Sequence, residues 1–454
     1  MMFSQLVFRI KPKLTINYSL LFLFCFTVCQ AQTTEKISLE EALKMALKNN
    51  RSILKSDLSI GVTKEYVTDV KKQRLPDIAI NGIYSRTTSL TEFTGTFLSN
   101  KVVTRLEPEI YSLSTTVKAP IYLGNIINNA IKMATINTEI AVIEKEKAEN
   151  DVALDVIATY YGIYKMLKLH EIIQENIEEA KIRLKEIKSF QSHGTVTKNE
   201  VIRAELLLSD RELSALTNSK NIEIGIHNFK TILQIPEEID FVIDTTGINL
   251  NAKLRDPYTT YYNRAMHNQE VTISEELAAV KKLEAKSARG NYYPSIYFFG
   301  NYNLRYPNYM FFPPDPYLYS IGQVGVELNY NLSSIFKNNT KVHIAEKEFS
   351  LQKMHTEIIK EQVDDELFRN HVQFQEVVDK FSVVDKALEL AKENYRIVKL
   401  KYLNQLVLST EMVDADNELL LAKYNRVSNR IDAMVKYYEL LHTAGILGYE
   451  FEKE

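Results

Sequence analysis

Histidine is the side chain best suited to proton transfer and metal binding near neutral pH, and this chain has eight of them. No two lie within five residues of each other, so the short-range spacing of a zinc motif is absent. His343 stands one helical turn before Glu346, but acids are frequent enough in these helices for chance to explain the pair. There is also no Gly-rich phosphate loop and no Gly-x-Ser-x-Gly nucleophile motif. We therefore expect no catalytic activity, no metal site and no cofactor.

The placement of turn residues indicates long helices rather than the loops of a compact enzyme. The 454 residues include only 14 Gly and 11 Pro. No Pro lies between Pro120 and Pro236, and neither Gly nor Pro lies between Val326 and Ala444. Acidic residues slightly outnumber basic ones and give a net charge of −3, so the basic excess of a nucleic-acid-binding protein is missing.

The N-terminus has the pattern of a cleavable signal peptide over residues 1–31. Arg9, Lys11 and Lys13 precede an apolar run at 20–28, and the small residue Ala31 ends the segment. The run is too short for a comfortable membrane span. Neither of the two cysteines, Cys25 and Cys29, lies in a lipoprotein pattern. We therefore expect an exported, non-lipidated protein without cysteine in its mature part.

Two halves of the chain resemble each other in the order of their motifs, which indicates a duplication. The matching pairs lie roughly 210–220 positions apart. They are Ser38–Asn50 with Asp256–Gln269, Arg74–Ile80 with Tyr292–Phe298, Val117–Gly124 with Val326–Ser333, and Asn199–Ala204 with Thr410–Ala415.

Each half is predicted to contain a helix, two strands, a very long helix, a tight turn and a shorter helix. The first unit spans 32–250, with strands at about 76–86 and 111–120, a long helix at about 124–190, a tip at about 192–199 and a helix at about 198–235. The second spans 251–454, with strands at about 294–306 and 319–331, a long helix at about 337–402, a tip at about 403–409 and a helix at about 410–444.

The long helices carry heptad spacing, which is typical of helices packed side by side. In the first half the stripe is Ile173, Ile177, Ala180, Leu184 and Ile187. In the second half it is Leu420, Tyr424, Val427, Ile431, Met434, Tyr438 and Leu441. A coiled-coil rod would explain these stripes, but not the export signal and the interrupting strands.

The two predicted strand pairs lie far apart in the chain and give four strands in all. The edges of such pairs need partner strands. The smallest closed membrane barrels have about eight strands, so one chain is insufficient, whereas two or three chains suffice. Three chains would supply twelve strands. Tyrosines flank the strands either as an aromatic girdle at a membrane interface or as the packing of a soluble sandwich, and the small strand number favours the girdle. These are Tyr84, Tyr111, Tyr122, Tyr293, Tyr306, Tyr319 and Tyr330.

This element order, with its Ser38-Leu-Glu-Glu-Ala-Leu opening, resembles the TolC family of outer-membrane efflux proteins. The resemblance runs from about Ile37 to Gly445. It implies a mainly α fold with β: a homotrimer whose 12-stranded outer-membrane β-barrel is continuous with a periplasmic α-helical barrel. The implied function is a passive exit duct of a tripartite efflux pump or a type I secretion system, gated at the periplasmic helical tips. Its implied partners are a periplasmic adaptor (membrane fusion) protein, an inner-membrane transporter and outer-membrane lipid. Drug, metal, peptide and protein cargo all remain open.

The resemblance also assigns residues to a gate at the two helix–helix turns. Glu411 and Asp414 match the family's acidic ring at the closed entrance. Tyr402 matches a tyrosine that latches the closed state, and Glu200 matches the acid that it meets. On local grounds alone, Thr197 and Glu200 form a Thr-x-x-Glu capping box, and Glu411 and Asp414 suit a helix N-terminus. Threefold repetition would place six carboxylates in a narrow, cation-attracting ring.

The turns themselves predict a docking surface for an adaptor hairpin, because solvated turns do not need apolar side chains. The residues are Gly194, Thr195, Val196, Leu406, Val407 and Leu408. Two positions depart from the family pattern: Gln405 replaces a turn glycine, and Val407 stands where the best-known member has a basic residue. The alternative from another class is a secreted or periplasmic coiled-coil structural or adhesion protein, which shares the signal and heptads but leaves the paired strands unexplained.

Overall fold

The computed structural model describes residues 35–245, 257–311, 314–404 and 406–448. The predicted signal segment and Gln405 lie outside the described residues. Within these ranges the chain forms eight helices and eight strands. The helices are α1 Leu39–Asn49, α2 Arg51–Lys72, α3 Ile126–Ser192, α4 Lys198–Leu233, α5 Tyr258–Ala265, α6 Gln269–Gly290, α7 Ser334–Leu403 and α8 Ser409–Thr443. The strands are β1 Glu35–Ile37, β2 Asp77–Arg86, β3 Leu90–Phe93, β4 Lys101–Thr104, β5 Glu109–Leu123, β6 Phe241–Ile243, β7 Ser295–Tyr306 and β8 Tyr319–Asn329.

The four long strands form one antiparallel sheet in the order β2-β5-β7-β8. The central β5–β7 pairing joins the two halves of the chain, with Tyr111 opposite Tyr306 and Leu123 opposite Ser295. A register shift between Pro120 and Tyr122 interrupts this ladder, at a residue that cannot donate a backbone hydrogen bond. Strands β2 and β8 are the two edges of the sheet.

The expectation of four strands in all is wrong. A short parallel pair, β1–β6, lies beside the helices, with Ile37 opposite Ile243. A hairpin, β3–β4, lies between β2 and β5, with Leu90 opposite Thr104. These strands have only three or four residues, too few for alternation to stand out in a sequence.

The helices form two long antiparallel hairpins, α3–α4 and α7–α8. Helices α3 and α7 have 67 and 70 residues, which at 1.5 Å per residue makes each about 100 Å long. Of the heptad stripe expected on α3, Ile173, Ile177, Ala180 and Ile187 are buried. None of the helices in the described part of the chain is long and apolar enough to cross a membrane.

The main core lies where both hairpins meet the short helices. Tyr160, Phe229, Tyr261, Leu367 and Leu440 are fully buried there and come from five different helices. The hydroxyl of Tyr160 donates to the carbonyl oxygen of Asp244, which ties α3 to the end of β6. The core therefore joins both halves at the middle of the molecule and leaves the sheet and the helical turns at opposite ends.

Candidate functional site

The two helix–helix turns lie at the same end of the molecule. In the first, Gly194 takes the left-handed conformation with φ of +74°, and the Thr195 amide donates to the Phe190 carbonyl at 3.0 Å. In the second, the Leu406 amide donates to the Lys401 carbonyl at 2.9 Å. Tyr402, at the end of α7, packs on the apolar cluster of the first hairpin formed by Ile187, Val201 and Ala204. This contact brings the two turns together.

Tyr402 and Glu200, which the family resemblance pairs, are neighbours. Burial, and then the charge of Glu200, raise the pKa of the Tyr402 phenol. One carboxylate oxygen of Glu200 is buried and has no hydrogen-bond partner in the described part of the chain. An unpartnered buried carboxylate oxygen is costly, so a contact made in an assembly or a changed state would be favourable.

The capping box expected of Thr197 and Glu200 is wrong. Thr197 does precede the first residue of α4, but its side chain makes no capping hydrogen bond. The Glu200 amide donates instead to the Thr197 carbonyl oxygen at 3.1 Å. The Thr-x-x-Glu spacing is therefore present without the reciprocal hydrogen bonds of a capping box.

Glu411 and Asp414 lie on the first two turns of α8 and are both exposed. Neither has a hydrogen bond or an ion pair to another residue that the structure describes. Their spacing of three places them on one side of the helix. This arrangement leaves both carboxylates available to attract cations.

The turn residues expected to dock a partner are mostly exposed. Leu406 and Leu408 leave 74% and 69% of their surface accessible, whereas Val407 is half-buried. Gly194 and Thr195 are also exposed. Val196 is the exception, because it packs on the Ile187 and Val201 cluster.

A buried polar cluster that sequence reasoning missed lies between the hairpins. Arg183 of α3 approaches Asp416 of α8 at 3.3 Å (Nη2 to Oδ1) and the Tyr395 hydroxyl at 3.4 Å. Asn176 donates to the same Asp416 oxygen at 3.3 Å. The side chains of Arg183 and Asp416 are only 9% and 1% exposed. The available signal was a charged residue within the heptad region of each helix, which is unusual beside an apolar seam.

The sheet at the other end has two chemically different faces. Residues directly opposite each other in the ladders share a face. One face is apolar and carries two rows of residues: Ile78, Val117, Gly300 and Val324, and Ala119, Phe298 and Val326. At one end of this face the ring of Tyr111 lies 5.2 Å from that of Tyr84 and 5.7 Å from that of Tyr306. The opposite face carries Ala79, Thr116, Asn301 and Gln323, and Asn81, Ser114, Asn303 and Ile321.

The apolar face is open to its surroundings. Ile78, Ile80, Val324 and Val326 each expose between 65% and 79% of their surface. The polar face carries an ion pair between Lys118 and Glu327 at 3.1 Å. A sheet that exposes its apolar face and turns polar residues to the other side has the opposite arrangement to a water-soluble sandwich.

No group of His, Cys, Asp and Glu side chains suited to a metal ion occurs in the ranges that the structure describes. His343 lies 3.6 Å from Glu346, which also pairs with Arg289, so this is a surface ion cluster between α6 and α7.

Residues 42–224 match the family described as outer membrane efflux protein. The predicted resemblance to the TolC family is confirmed. The matched segment runs from α1 into α4 and therefore covers most of the first half of the chain. Comparison with curated protein sequences gives no match.

Solved outer-membrane channels share the fold across both halves. The outer membrane protein VceC from Vibrio cholerae aligns with a TM-score of 0.73 at 13% identity, over 90% of this chain and 96% of that one. The CmeC outer membrane channel of Campylobacter jejuni gives 0.75 at 13% identity, over 90% and 86%. CusC, a protein that forms a transmembrane channel, gives 0.75 at 12% identity, over 91% and 93%. At these identities, the likeness to these three proteins is one of fold.

Proposed function

We propose that this chain is one subunit of a homotrimeric outer-membrane exit duct, in which three four-stranded sheets close a 12-stranded barrel. The observation that carries the proposal is the sheet with an exposed apolar face, a polar opposite face and two open edges. Open edges are not tolerated in lipid, so β2 of one copy must pair with β8 of the next. The polar face then lines a lumen.

The height of the apolar face suits an outer membrane. Tyr111 and Tyr122 lie eleven residues apart on β5, or roughly 36 Å along the strand at 3.3 Å per residue. A strand tilt of about 40° reduces this to roughly 28 Å, close to the apolar band of outer-membrane barrels. Tyr293 and Tyr330 lie at the helical end with Tyr122, so the tyrosines form two rows as an aromatic girdle requires.

In this proposal, residues 32–250 and residues 251–454 are the two copies of a duplicated unit. Each contains two helices, two long paired strands, a very long helix and its shorter partner, in the same order, and the first half also holds the short strands β1, β3, β4 and β6. The export signal 1–31 would direct the chain through the periplasm, and the helical hairpins would remain there as an α-helical barrel. A secreted coiled-coil adhesin is the less favoured reading, because it would gain nothing from an exposed apolar sheet face.

Glu411 and Asp414 would form the gate and selectivity ring, with Tyr402 and Glu200 as a contact that holds the closed state. The test is to measure the mass in detergent and the conductance and reversal potential in a planar bilayer. We expect a trimer with small, cation-selective conductance, and a loss of selectivity in Glu411→Gln/Asp414→Asn. The control is Glu178→Gln/Glu212→Gln, which removes two exposed acids from the first hairpin.

Each result separates parts of this proposal. A trimer whose selectivity ignores the Glu411 and Asp414 substitutions would retain the duct and reject the acidic ring. An equal effect in the control would show that total charge, rather than position, sets selectivity. A water-soluble monomer or dimer without conductance would reject the duct and favour the coiled-coil alternative.

The exposed turns would receive a periplasmic adaptor that connects the duct to an inner-membrane transporter. We expect Leu406→Ser/Leu408→Ser to leave conductance in bilayers unchanged and to abolish export in cells that carry the partner pump. The polar control is Lys198→Ser/Lys401→Ser at the same end of the helices. Normal export in the leucine variant would refute docking at these turns.

A further inference from the structure

The two hairpins are joined near the turns by two buried arginines that bind consecutive residues of α8. Arg183 of α3 reaches Asp416, and Arg211 of α4 donates to the side-chain oxygen of Asn417. The side chains of both arginines are only 9% exposed. The first hairpin therefore holds α8 from two helices at one level, about two turns from the start of α8 at Ser409.

The position of Asp416 determines which way the exposed acids face. At 100° per residue, Asp414 and Glu411 lie about 160° and 220° around α8 from Asp416. Their mean direction is therefore opposite the side that contacts α3. The observed exposure agrees, because Asp416 is buried while Glu411 and Asp414 are both exposed.

We propose that Arg183 is a positioning residue for the acidic pair: its buried ion pair with Asp416 fixes the rotation of α8, so that Glu411 and Asp414 face away from the first hairpin. The inference rests on the proposed function in one respect, that these acids line the entrance of the duct. It adds a fixed point at Asp416, about two helical turns after the start of α8. The part of the helical tip beyond this point would be the part that moves.

A buried ion pair contributes more to the unique orientation of a helix than to the stability of the fold. Replacing both partners with apolar residues of similar volume is commonly tolerated, whereas removing one leaves an unpaired buried charge. The double variant Arg183→Met/Asp416→Leu therefore keeps the packing and removes the directional contact. The matched control is Lys188→Met/Glu205→Leu, which removes a 2.8 Å ion pair inside the first hairpin at the same end of the molecule.

The functional test compares bilayer conductance and cation selectivity of the trimers. We expect the Arg183/Asp416 double variant to conduct about twofold or more above the unsubstituted protein, with lower selectivity, at unchanged trimer mass. The control should behave as the unsubstituted protein. Arg183→Lys retains the charge and should recover part of the selectivity, although lysine lacks the fork that bridges two acceptors. Unsubstituted selectivity in the double variant would overturn the proposal.

A second readout does not depend on conductance. The chain's only cysteines, Cys25 and Cys29, lie in the predicted signal segment 1–31, so spin labels can be placed selectively at Lys185→Cys on α3 and Thr410→Cys on α8. The two labels report the separation of these helices. We expect a narrow distance distribution that broadens in the double variant and not in the control. An unchanged distribution overturns the positioning role. If the distribution broadens but neutralising Glu411 and Asp414 leaves selectivity unchanged, the positioning role of Arg183 is supported and the acidic ring is refuted.

Discussion

The junction between the sheet and the helices contains a close approach of two backbones that tolerates no side chain. Gly124, between β5 and α3, has φ of +60°, and a Cβ added to it would lie 2.2 Å from the carbonyl oxygen of Gly290. Gly290 ends α6, and a Cβ there would lie 2.6 Å from the Gly124 carbonyl oxygen. Since both obstacles are backbone atoms, the chain itself must shift to admit a methyl group.

The cost of Gly124→Ala has two parts. The left-handed conformation costs an L-residue about 1–2 kcal/mol. Displacing packed backbone adds about 1–3 kcal/mol, as in overpacked cores. The reduced entropy of the unfolded alanine chain offsets about 0.4–1 kcal/mol. We therefore expect Gly124→Ala to lower the free energy of unfolding by about 3 kcal/mol, the middle of a range of about 1–4.6 kcal/mol.

Two other glycines separate these parts. Gly194 also has a positive φ, of +74°, but a Cβ there meets nothing within 4 Å, so Gly194→Ala should cost only about 1 kcal/mol. Gly61 lies inside α2 with open space around it, so Gly61→Ala should stabilise by about 0.5–1 kcal/mol. The free energy of unfolding is therefore expected to decrease in the order Gly61→Ala, unsubstituted protein, Gly194→Ala, Gly124→Ala.

The assay is denaturant unfolding in detergent, followed by far-ultraviolet circular dichroism because the chain has no tryptophan. Midpoints are compared at constant slope. If Gly124→Ala costs no more than Gly194→Ala, the close approach to Gly290 does not exist and the reasoning is refuted.

Three further predictions use the same assay. The hydrogen bond from Arg426 is the main cause of the lowered pKa of Asp385. The ionised carboxylate therefore stabilises the α7–α8 hairpin at pH values above the ordinary Asp pKa of about 3.9. This stabilisation is lost as the pH falls through the lowered pKa. Asp385→Asn should flatten the fall in stability below about pH 4, by no more than ~1 kcal/mol because the pair is partly exposed; an unchanged pH profile would contradict this. Thr356→Val should cost about 1–3 kcal/mol by removing the buried 2.9 Å hydrogen bond to Ser274, and Ser274→Ala/Thr356→Val should recover most of it; equal losses in both would point to packing instead. Ser38→Ala should cost about 1 kcal/mol by breaking the capping box of α1, and an unaffected midpoint would show that tertiary packing alone holds this helix end.

Local patterns predicted correctly what depends on local physics. Four of the five residues in the heptad stripe predicted on α3 are buried, and the fifth, Leu184, is partly buried. The same reasoning failed at Thr197, where the Glu200 amide donates to the Thr197 carbonyl oxygen and the Thr197 side chain makes no capping hydrogen bond. It also failed for β3 and β4, which are too short for alternation to register.

The long helices, the paired strands and the positions of the turns follow from the amino-acid sequence, because the spacing of apolar residues and the scarcity of glycine and proline act within a few residues. The contacts between the two halves follow from the tertiary packing. The β5–β7 pairing, the approach of Gly124 to Gly290, and the Arg183–Asp416 ion pair each join residues that are far apart in the chain. No local pattern encodes such contacts, since they depend on the relative rotation and height of packed elements. That relative placement also turns Glu411 and Asp414 outward and gives the sheet its two faces.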